Sequence, residues 1–282
     1  MPPANSPFTK PLPWRVLRSG FATGAENMAV DEAIMKAHAA GLVPPTLRFY
    51  GWRPAAVSIG YFQGMEREID LDACRRLGVD WVRRPTGGRA VLHDIEVTYS
   101  AVVSLSILPG TVVETYRVLS QGLLEGMRIL GVEAEMSTAD PKEIMKQHEK
   151  TAACFDVPSW YELVAQGKKV IGSAQTRHED TLLQHGAIIL RFDPDKTTRV
   201  LRFPSEEVRA RVARALGSRA AGLSDLAGRD LSFGEVQEAM VQGFSRGMGI
   251  QVEEGSLTAD EVEEARRLEK DRYASTEWTY RK

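Results

Sequence analysis

Hydrophobic residues at helical spacing and short apolar runs alternate along the first part of the chain. A capping box begins at Thr23, and the apolar pattern that follows it predicts a helix over residues 24–40. Two short runs rich in β-branched and aromatic residues come next, and they predict two strands joined by a turn, at 46–52 and 55–62. A shorter helix is expected over 70–77.

Strand patterns dominate the middle of the chain, and helical patterns dominate its end. Apolar segments on both sides of a glycine pair at residues 87 and 88 predict strands around a tight loop, and the segment ETYRVLSQGLLEGMRIL predicts a helix that Gly131 ends. The segments GKKVIGSAQTR and LLQHGAIIL predict a pair of strands, whereas the pattern from about residue 204 onward is mainly helical. This mixture predicts an α/β (α+β) fold with mixed β-sheets flanked by helices.

Domain organisation follows from where the regular patterns start and stop. Residues 1–13 are rich in proline and are expected to form a flexible arm. The remaining residues, 14–282, are expected to form one domain that includes the helical part from about 204 to 282. Between 137 and 160 the sequence shows little periodicity, so we expect a long loop or a partly helical insertion, a kind of segment that is often functional.

Composition and charge exclude several classes of protein. The chain has 282 residues, of which 43% are hydrophobic and 26% are charged, as in ordinary globular proteins. No apolar run approaches the roughly 20 residues that a membrane helix needs, and the first residues lack the apolar core of a secretory signal, so we expect a cytoplasmic protein with no membrane partner. A net charge of -2, from 36 basic and 38 acidic residues, argues against a nucleic-acid partner.

The chain has two cysteines, Cys74 and Cys154, so neither a disulfide framework nor a cysteine-built zinc site is expected. Cys74 lies in the helical context DACRRLG and is expected to be structural. Cys154 lies among small residues in AACFDVPSW, a loop context that favours an accessible sulfur. A free cysteine is also typical of a small buried hydrophobe, and the local sequence alone leaves both interpretations open.

A cluster of arginines and glycines forms the first candidate binding motif, RRPTGGRAVLHD. Its glycines, Gly87 and Gly88, allow a backbone to approach a ligand closely. Its three arginines, Arg83, Arg84 and Arg89, supply permanent positive charges for a phosphate or a carboxylate. The motif lacks the Gly-Lys-Ser/Thr of a P-loop. A glycine turn between two strands with solvated arginines fits the same residues.

The second candidate motif contains a lysine that opens an apolar strand, in GKKVIGSAQTR. A lysine such as Lys169 can point inward, and partial desolvation turns a lysine into a proton-transfer group, although lysines that open strands are more often solvated. Of the five histidines, His93 and His185 lie beside glycine motifs and are candidates for the site or its support. The histidines lack the spacing of a metal site, so no metal is expected.

Three motifs occur in a fixed order and together resemble the lipoate-protein ligase and octanoyltransferase superfamily: RRPTGGRAVLHD, ACFDVPSWYEL, and GKKVIGSAQTR with LLQHGAI. The resemblance covers roughly residues 14–200, and the segment YASTEW also resembles the end of these proteins. The sequence is most similar to the cysteine-bearing octanoyltransferase branch, because Arg89 stands where ligases usually carry a third glycine and Cys154 stands where they carry no cysteine. The resemblance implies a biotin/lipoate protein ligase-like catalytic domain.

The resemblance implies an enzyme of lipoate biosynthesis. Such an enzyme moves octanoyl from octanoyl-acyl carrier protein to the acceptor lysine of a lipoyl-dependent protein, either the glycine-cleavage H protein or an E2 lipoyl domain. Cys154 would hold the octanoyl group as a thioester, and Lys169 would position the carbonyl or transfer a proton. The donor thioester is already activated, so octanoyl-phosphopantetheine enters as a substrate and neither ATP nor a metal is implied.

The same resemblance implies a set of substrate-binding residues. The arginines are expected to meet the phosphopantetheine phosphate or the acidic surface of the carrier protein, and backbone N–H groups near Gly87, Gly88 or Gly172 are expected to stabilise the oxyanion. The full set is Arg83, Arg84, Gly87, Gly88, Arg89, His93, Gly172, Ser173, Ala174, His185 and Gly186. The candidates for an apolar octanoyl tunnel, each equally typical of a β core, are Val91, Val170, Ile171 and Ile188.

Three alternative functions fit the same motifs. An ATP-dependent lipoate ligase would bind a lipoyl-adenylate at the glycine loop and Lys169, and Cys154 would then be incidental. An amidotransferase that moves octanoyl between lipoyl-bearing proteins would also use a cysteine. A non-catalytic lipoyl- or fatty-acid-binding module would bind without turnover, which the combination of Cys154 with Lys169 disfavours.

Overall fold

Two β-sheets form the frame of the protein. The computed structural model describes residues 13–137 and 162–281. The strands in these residues are β1 (Pro13–Ala22), β2 (Thr46–Trp52), β3 (Ala56–Ile59), β4 (Asp80–Arg83), β5 (Val91–His93), β6 (Glu96–Ser104), β7 (Glu135–Met136), β8 (Leu163–Ala165), β9 (Lys168–His178), β10 (Thr181–Ile189) and β11 (Gln251–Glu254). They form an eight-stranded sheet in the order β11-β1-β2-β6-β10-β9-β8-β7 and a three-stranded sheet in the order β4-β3-β5.

Helices lie on both faces of the large sheet and beside the small one. They are α1 (Gly24–Ala39), α2 (Met65–Glu68), α3 (Leu71–Leu77), α4 (Val112–Ile129), α5 (Pro194–Arg199), α6 (Glu206–Arg219), α7 (Leu223–Ala227), α8 (Phe233–Met248), α9 (Ala259–Leu268) and α10 (Thr276–Thr279), with a π-helical turn at Glu269–Tyr273 after α9. Mixed sheets with flanking helices confirm the predicted fold class.

Elements with strong local signals are confirmed. Helix α1 begins after Thr23, whose hydroxyl accepts a hydrogen bond from the Glu26 N–H at 3.2 Å. The predicted strand pair is the antiparallel hairpin of β9 and β10. The strands predicted at 46–52 and 55–62 are both present, but they do not pair with each other. Strand β2 lies between β1 and β6, so both of its edges are occupied and β3 joins the small sheet.

The predicted arm and the predicted insertion lie almost entirely outside the described residues. Strand β1 begins at Pro13, the last residue of the predicted arm, and residues 1–12 lie outside the described part. The segment 138–161, which contains Cys154, also lies outside it. After residue 204 the described chain is mainly helical, and its short strand β11 pairs with β1 in parallel.

The large sheet is buried on both faces because successive residues of its central strands alternate between two apolar clusters. Leu47 and Phe49 of β2 pack with helices α4 and α8, whereas Tyr50 and Trp52 pack with α1. Helix α1 lies between the sheet on one side and α9 with the π-helical turn on the other. Its acidic residue Asp31 is therefore buried as well, and a buried charge requires polar partners.

Helices α4 and α8 pack together through a glycine-lined contact. A Cβ added to Gly243 of α8 would lie 2.4 Å from the Gly126 nitrogen and 2.5 Å from the Gly122 carbonyl oxygen, both in α4. We expect Gly243→Ala to lower the free energy of unfolding by about 1–3 kcal/mol, because the two helices must move apart to admit the methyl group.

The matched control for Gly243→Ala is Gly234→Ala, in the first turn of the same helix. A Cβ added to Gly234 meets nothing within 4 Å. This substitution should leave stability unchanged or raise it by up to about 1 kcal/mol, because alanine is the better helix former. Urea unfolding of both variants makes the comparison, and equal midpoints would contradict the close helix contact.

Candidate active site

A mainly apolar cavity is lined by residues from both sheets and from helix α1. Most of the predicted substrate-binding residues lie in its wall: Arg84, Gly88, Arg89, His93, Gly172, Ser173, Ala174, His185 and Gly186. These residues come from the glycine loop between β4 and β5, from β5 itself, and from the β9–β10 hairpin. The fold therefore brings the first and the third sequence motif to one place.

Three predicted residues are not in the cavity wall, and a fourth lies outside the described residues. Gly87 is in the glycine loop beside the cavity wall, and Arg83 is directed toward the C-terminal end of the chain. Lys169 is on β9, three residues before Gly172, and is not among the residues that line the cavity. Cys154 lies outside the described residues.

The apolar wall differs from the predicted tunnel. Of the four tunnel candidates, Val91 lines the cavity. The other three belong to the hydrophobic cluster that also contains residues of helices α4 and α8: Val170, Ile171 and Ile188. The wall instead includes Met28, Tyr50 and Trp52, from α1 and β2. Periodicity in the sequence shows that such residues are buried, but it does not show what they surround.

The glycine loop closely approaches the segment that follows β3. The Tyr61 N–H donates to the Thr86 carbonyl at 2.9 Å. A Cβ added to Gly60 would lie 2.0 Å from the Gly88 carbonyl oxygen, so only glycine fits at position 60. Gly88 itself has a φ of 91°, in the left-handed region that favours glycine. The first motif is therefore a tight backbone contact at the cavity wall.

Arg84 is buried beneath this loop. Its Nη2 donates to the carbonyls of Gly87 at 2.7 Å and Arg89 at 2.8 Å. Its Nη1 donates to the carbonyl and the hydroxyl of Ser58, both at 3.1 Å, and its Nε lies 3.2 Å from both the Thr86 hydroxyl and the Gly87 carbonyl. All five N–H groups thus have acceptors within the protein. These contacts argue against the predicted contact of Arg84 with the phosphopantetheine phosphate or with the acidic surface of the carrier protein, which stays a prediction.

Arg83 holds the C-terminal end of the chain. Its guanidinium is fully buried, and burial together with the nearby Arg281 lowers its pKa. Six carbonyl oxygens accept its hydrogen bonds at 2.6–3.0 Å: those of Gly60, Tyr61, Gln63, Trp278, Thr279 and Arg281. With its donors engaged by these carbonyls, Arg83 has a structural role within the chain. Its predicted contact with the donor stays a prediction.

His185 lies between an acidic side chain and a hydroxyl. Its Nε2 is 2.7 Å from the Thr86 hydroxyl, and its Nδ1 is 3.4 Å from Asp31 Oδ2. Burial, only partly offset by the hydrogen bond and charge of Asp31, lowers the pKa of His185. The imidazole is therefore neutral at neutral pH, and Nε2 can accept a hydrogen bond from the Thr86 hydroxyl.

Asp31 was not predicted as a site residue. Its carboxylate accepts hydrogen bonds from Arg48, Tyr50 and Ser100, each at 2.8 Å. Burial opposes its ionisation, but the charge of Arg48 and the hydrogen bond with His185 outweigh burial and lower the pKa of Asp31. The carboxylate is thus ionised and fixed in place.

His93 has an equivalent arrangement. Its Nδ1 is 2.8 Å from Glu96 Oε1, and its Nε2 is 2.8 Å from the Ser58 hydroxyl. Its ring stacks on Trp52 with 4.0 Å between the ring centroids. Glu96 and Ser58 are the polar partners that sequence reasoning missed here.

The β9–β10 hairpin forms another part of the wall. Gly186 pairs with Ser173 across the hairpin, and a Cβ added to Gly186 would lie 2.4 Å from Ser173 Oγ and 2.7 Å from the Gly172 carbonyl oxygen. Ser173 Oγ is in turn 2.8 Å from the Tyr99 hydroxyl. Glycine at 186 is required by this close packing.

Lys169 forms a buried ion pair with Glu162. Its ammonium donates to a Glu162 carboxylate oxygen, and its backbone carbonyl accepts the Ala221 N–H at 3.0 Å. Glu162 belongs to the ACFDVPSWYEL motif and lies seven residues before Lys169. This short separation between an acidic residue and the lysine is the signal from which the ion pair could be predicted.

The structure also bears on the other cysteine, on metals and on membranes. Cys74 is a buried free thiol in α3, and burial together with Asp70 raises its pKa to about 12, which agrees with a structural role. In residues 13–137 and 162–281, no three side chains of the metal-binding types come together. Within the same residues, no helix combines the length and the apolar character that crossing a membrane requires.

Known proteins are similar to this chain in sequence. The family described as Lipoyl protein ligase A/B catalytic domain matches residues 23–245. Octanoyltransferase LipM of Kyrpidia tusciae is 52% identical over 274 residues, which cover 95% of this chain and 99% of that protein. Octanoyltransferase LipM of Bacillus subtilis is 44% identical over 274 residues, covering 95% of this chain and 98% of the relative.

Two solved structures are similar over most of their length. One is a bi-partite lipoate protein ligase from Thermoplasma acidophilum, described with its E2 lipoyl domain, with a TM-score of 0.80 at 28% identity, covering 95% of this chain and 96% of that chain. The other is a lipoate-protein ligase A bound with ATP, with a TM-score of 0.77 at 29% identity, covering 95% and 98%. The two sheets and the cavity beside the glycine loop thus define a lipoate-ligase type of α/β domain. The chain belongs to the lipoyl protein ligase A/B family, which confirms the resemblance seen in its motifs.

Proposed function

We propose that this chain is an octanoyltransferase of lipoate biosynthesis. Relatives that it matches over nearly their whole length carry that name. The mainly apolar cavity beside the glycine loop is the structural observation that carries the proposal, because it offers an alkyl chain a place to bind. At about 0.8 kcal/mol per buried methylene, an eight-carbon chain contributes on the order of 5 kcal/mol of binding free energy.

The proposed donor is octanoyl-acyl carrier protein, and the proposed acceptor is a lysine of the glycine-cleavage H protein or of an E2 lipoyl domain. The description of the similar archaeal ligase together with its E2 lipoyl domain supports an acceptor of this class. Of the three motif arginines, Arg89 in the cavity wall is the one we assign to the phosphopantetheine phosphate. The donor is already a thioester, so the proposed reaction requires neither ATP nor a metal.

The proposed reaction has two acyl-transfer steps. In the first, the Cys154 thiolate attacks the donor carbonyl, a new carbon–sulfur bond forms, and the bond to the phosphopantetheine sulfur breaks, so that this thiolate leaves and takes up a proton. In the second, the acceptor lysine amine attacks the Cys154 thioester, the amide bond forms, and the Cys154 sulfur leaves while the amine loses a proton. Exchange between thioesters is nearly isoenergetic, whereas amide formation is downhill.

We assign Lys169 the role of orienting the acyl carbonyl in both steps. Its ammonium is already a hydrogen-bond donor in the buried contact with Glu162, which supports this role over that of a base. Proton transfer by Lys169 is the other role that its chemistry allows.

The experiment that tests the proposal compares acyl sources. Wild-type protein is incubated with an apo lipoyl domain and either octanoyl-acyl carrier protein without ATP, or free octanoate with ATP, and the acceptor mass is followed. We expect one octanoyl group on the acceptor in the first reaction only, and none on an acceptor whose lipoyl lysine is replaced by arginine.

The alternatives give different patterns in the same assay. Modification only with octanoate and ATP would identify a ligase, the activity that similarity to an ATP-bound ligase favours. Faster transfer from octanoylated H protein than from acyl carrier protein would identify an amidotransferase. Saturable octanoate binding with no acceptor modification in any reaction would identify a binding module.

A further inference from the structure

Two chains of hydrogen bonds run from buried carboxylates to Arg84. The first, the Asp31 chain, consists of Asp31, His185 and Thr86. Asp31 Oδ2 is 3.4 Å from His185 Nδ1, His185 Nε2 is 2.7 Å from the Thr86 hydroxyl, and that hydroxyl is 3.2 Å from Arg84 Nε. Every side chain in this chain is buried.

The second, the Glu96 chain, has the same chemical order: Glu96, His93 and Ser58. Glu96 Oε1 is 2.8 Å from His93 Nδ1, His93 Nε2 is 2.8 Å from the Ser58 hydroxyl, and that hydroxyl is 3.1 Å from Arg84 Nη1. The Asp31 chain starts on helix α1, and the Glu96 chain starts on strand β6. Two independent parts of the fold therefore meet at one guanidinium.

The order of groups gives each chain a direction. A carboxylate that accepts from Nδ1 fixes the histidine tautomer in which Nε2 is an acceptor. The Thr86 or Ser58 hydroxyl then donates a hydrogen bond to Nε2, and its lone pairs accept the N–H groups of Arg84. Because burial lowers the pKa of His185, this direction is retained at neutral pH in the Asp31 chain.

Arg84 connects both chains of hydrogen bonds to the glycine loop. Its Nη2 holds the carbonyl oxygens of Gly87 and Arg89. In a trans peptide the N–H points away from the carbonyl, so the Gly88 N–H is directed away from Arg84. In the described part of the chain, no group accepts a hydrogen bond from the Gly88 N–H. Gly88 also lines the cavity.

We propose that the Asp31 chain and the Glu96 chain position Arg84, and through it orient the Gly87–Gly88 peptide so that the Gly88 N–H donates to the acyl carbonyl oxygen during transfer. The inference rests on the proposed function for the identity of the acyl group. Negative charge develops on that oxygen only in the transition state, so the device acts on the rate of transfer and hardly on donor binding.

A double-mutant cycle tests the proposal. Formation of the acyl-enzyme from octanoyl-acyl carrier protein is followed in single turnovers by intact mass, for Thr86→Val, Ser58→Ala, Arg84→Lys and the two pairwise combinations with Arg84→Lys. We expect the limiting rate to fall about tenfold for Thr86→Val and for Ser58→Ala and about 100-fold for Arg84→Lys, with the half-saturating donor concentration within about twofold of wild type. In the Arg84→Lys background the other two substitutions should change the rate by less than about twofold.

Two controls separate positioning from packing. Thr86→Ser keeps the hydroxyl and should retain most of the rate. Ser120→Ala removes a buried hydroxyl that has no hydrogen-bond partner among the described residues, and it should change nothing. Full-sized effects of Thr86→Val in the Arg84→Lys background, or a weakened donor affinity in place of a reduced rate, would overturn the inference. If wild type uses only octanoate with ATP, the proposed function fails, and the same cycle on that reaction still decides whether the chains act through Arg84.

Discussion

Replacing Cys154 with alanine is expected to abolish octanoyl transfer. The proposed first step makes a bond to the Cys154 sulfur, and the second cysteine of the sequence, Cys74, cannot replace it because it is buried in α3. We expect no octanoyl adduct on Cys154→Ala by intact mass, and a turnover with octanoyl-acyl carrier protein reduced by at least about 10³-fold. Wild type should gain one octanoyl group and lose it when an apo acceptor is added.

The matched control for Cys154→Ala is Cys74→Ala. A thiol whose pKa is raised to about 12 is almost entirely protonated at neutral pH and is a poor nucleophile, so the Cys74→Ala protein should still form the adduct. Cys74→Ala should instead lower the free energy of unfolding, because it leaves a small cavity in the core. An acyl adduct that disappears with Cys74→Ala, or a Cys154→Ala protein that retains full transfer from acyl carrier protein, would contradict the thioester mechanism.

The elements that were predictable from the sequence are those with strong local signals. Helix α1 follows from the Thr23 cap and its apolar spacing, and the β9–β10 hairpin follows from two adjacent apolar runs. The location of the glycine loop was also predictable, because this tight backbone contact requires glycine at 60 and 88, and glycines can be read directly from the sequence. The partners of a strand are less local, so β2 and β3 were correctly found as strands but belong to different sheets.

The neighbouring arginines Arg83 and Arg84 show why the site was only partly predictable. In the sequence they are two identical side chains of one motif, and both fit a phosphate. In the structure three of the carbonyls that Arg83 contacts lie 195 to 198 residues away, whereas Arg84 donates hydrogen bonds to Ser58, 26 positions away, and to its own loop. Such assignments depend on tertiary contacts that have no local signal.

Asp31 and Glu96 were missed for a similar reason. Asp31 meets His185 across 154 residues, so neither position indicates the other. One signal was available, because Asp31 occurs inside an apolar helical segment, NMAVDEAIM, where an acidic residue needs a polar partner. That signal identifies a buried carboxylate, but only the fold shows that it supports the glycine loop.

Replacing Arg83 with methionine is expected to cost about 3–5 kcal/mol of unfolding free energy, although Arg83 belongs to the motif that the sequence assigns to substrate. Methionine fills much of the volume but leaves six carbonyl oxygens without their shared donor, and these oxygens join the segment after β3 to the C-terminal end of the chain. Urea unfolding measures this loss. Arg83→Lys should recover only part of it, because one ammonium cannot serve both groups of carbonyls.

Arg75→Met is the matched control for Arg83→Met, since Arg75 is exposed and paired with Asp72 on the same short helix. Its effect on stability should stay within about 0.5 kcal/mol.

One further measurement distinguishes a role of Arg83 in holding the chain end from a role in binding the donor phosphate. It is the half-saturating concentration of octanoyl-acyl carrier protein, measured at a temperature where Arg83→Met is folded. Unchanged stability with a donor affinity weakened tenfold or more would restore the phosphate role. Lost stability with unchanged donor affinity would establish that Arg83 holds the chain end, leaving Arg89 as the motif arginine that faces the donor.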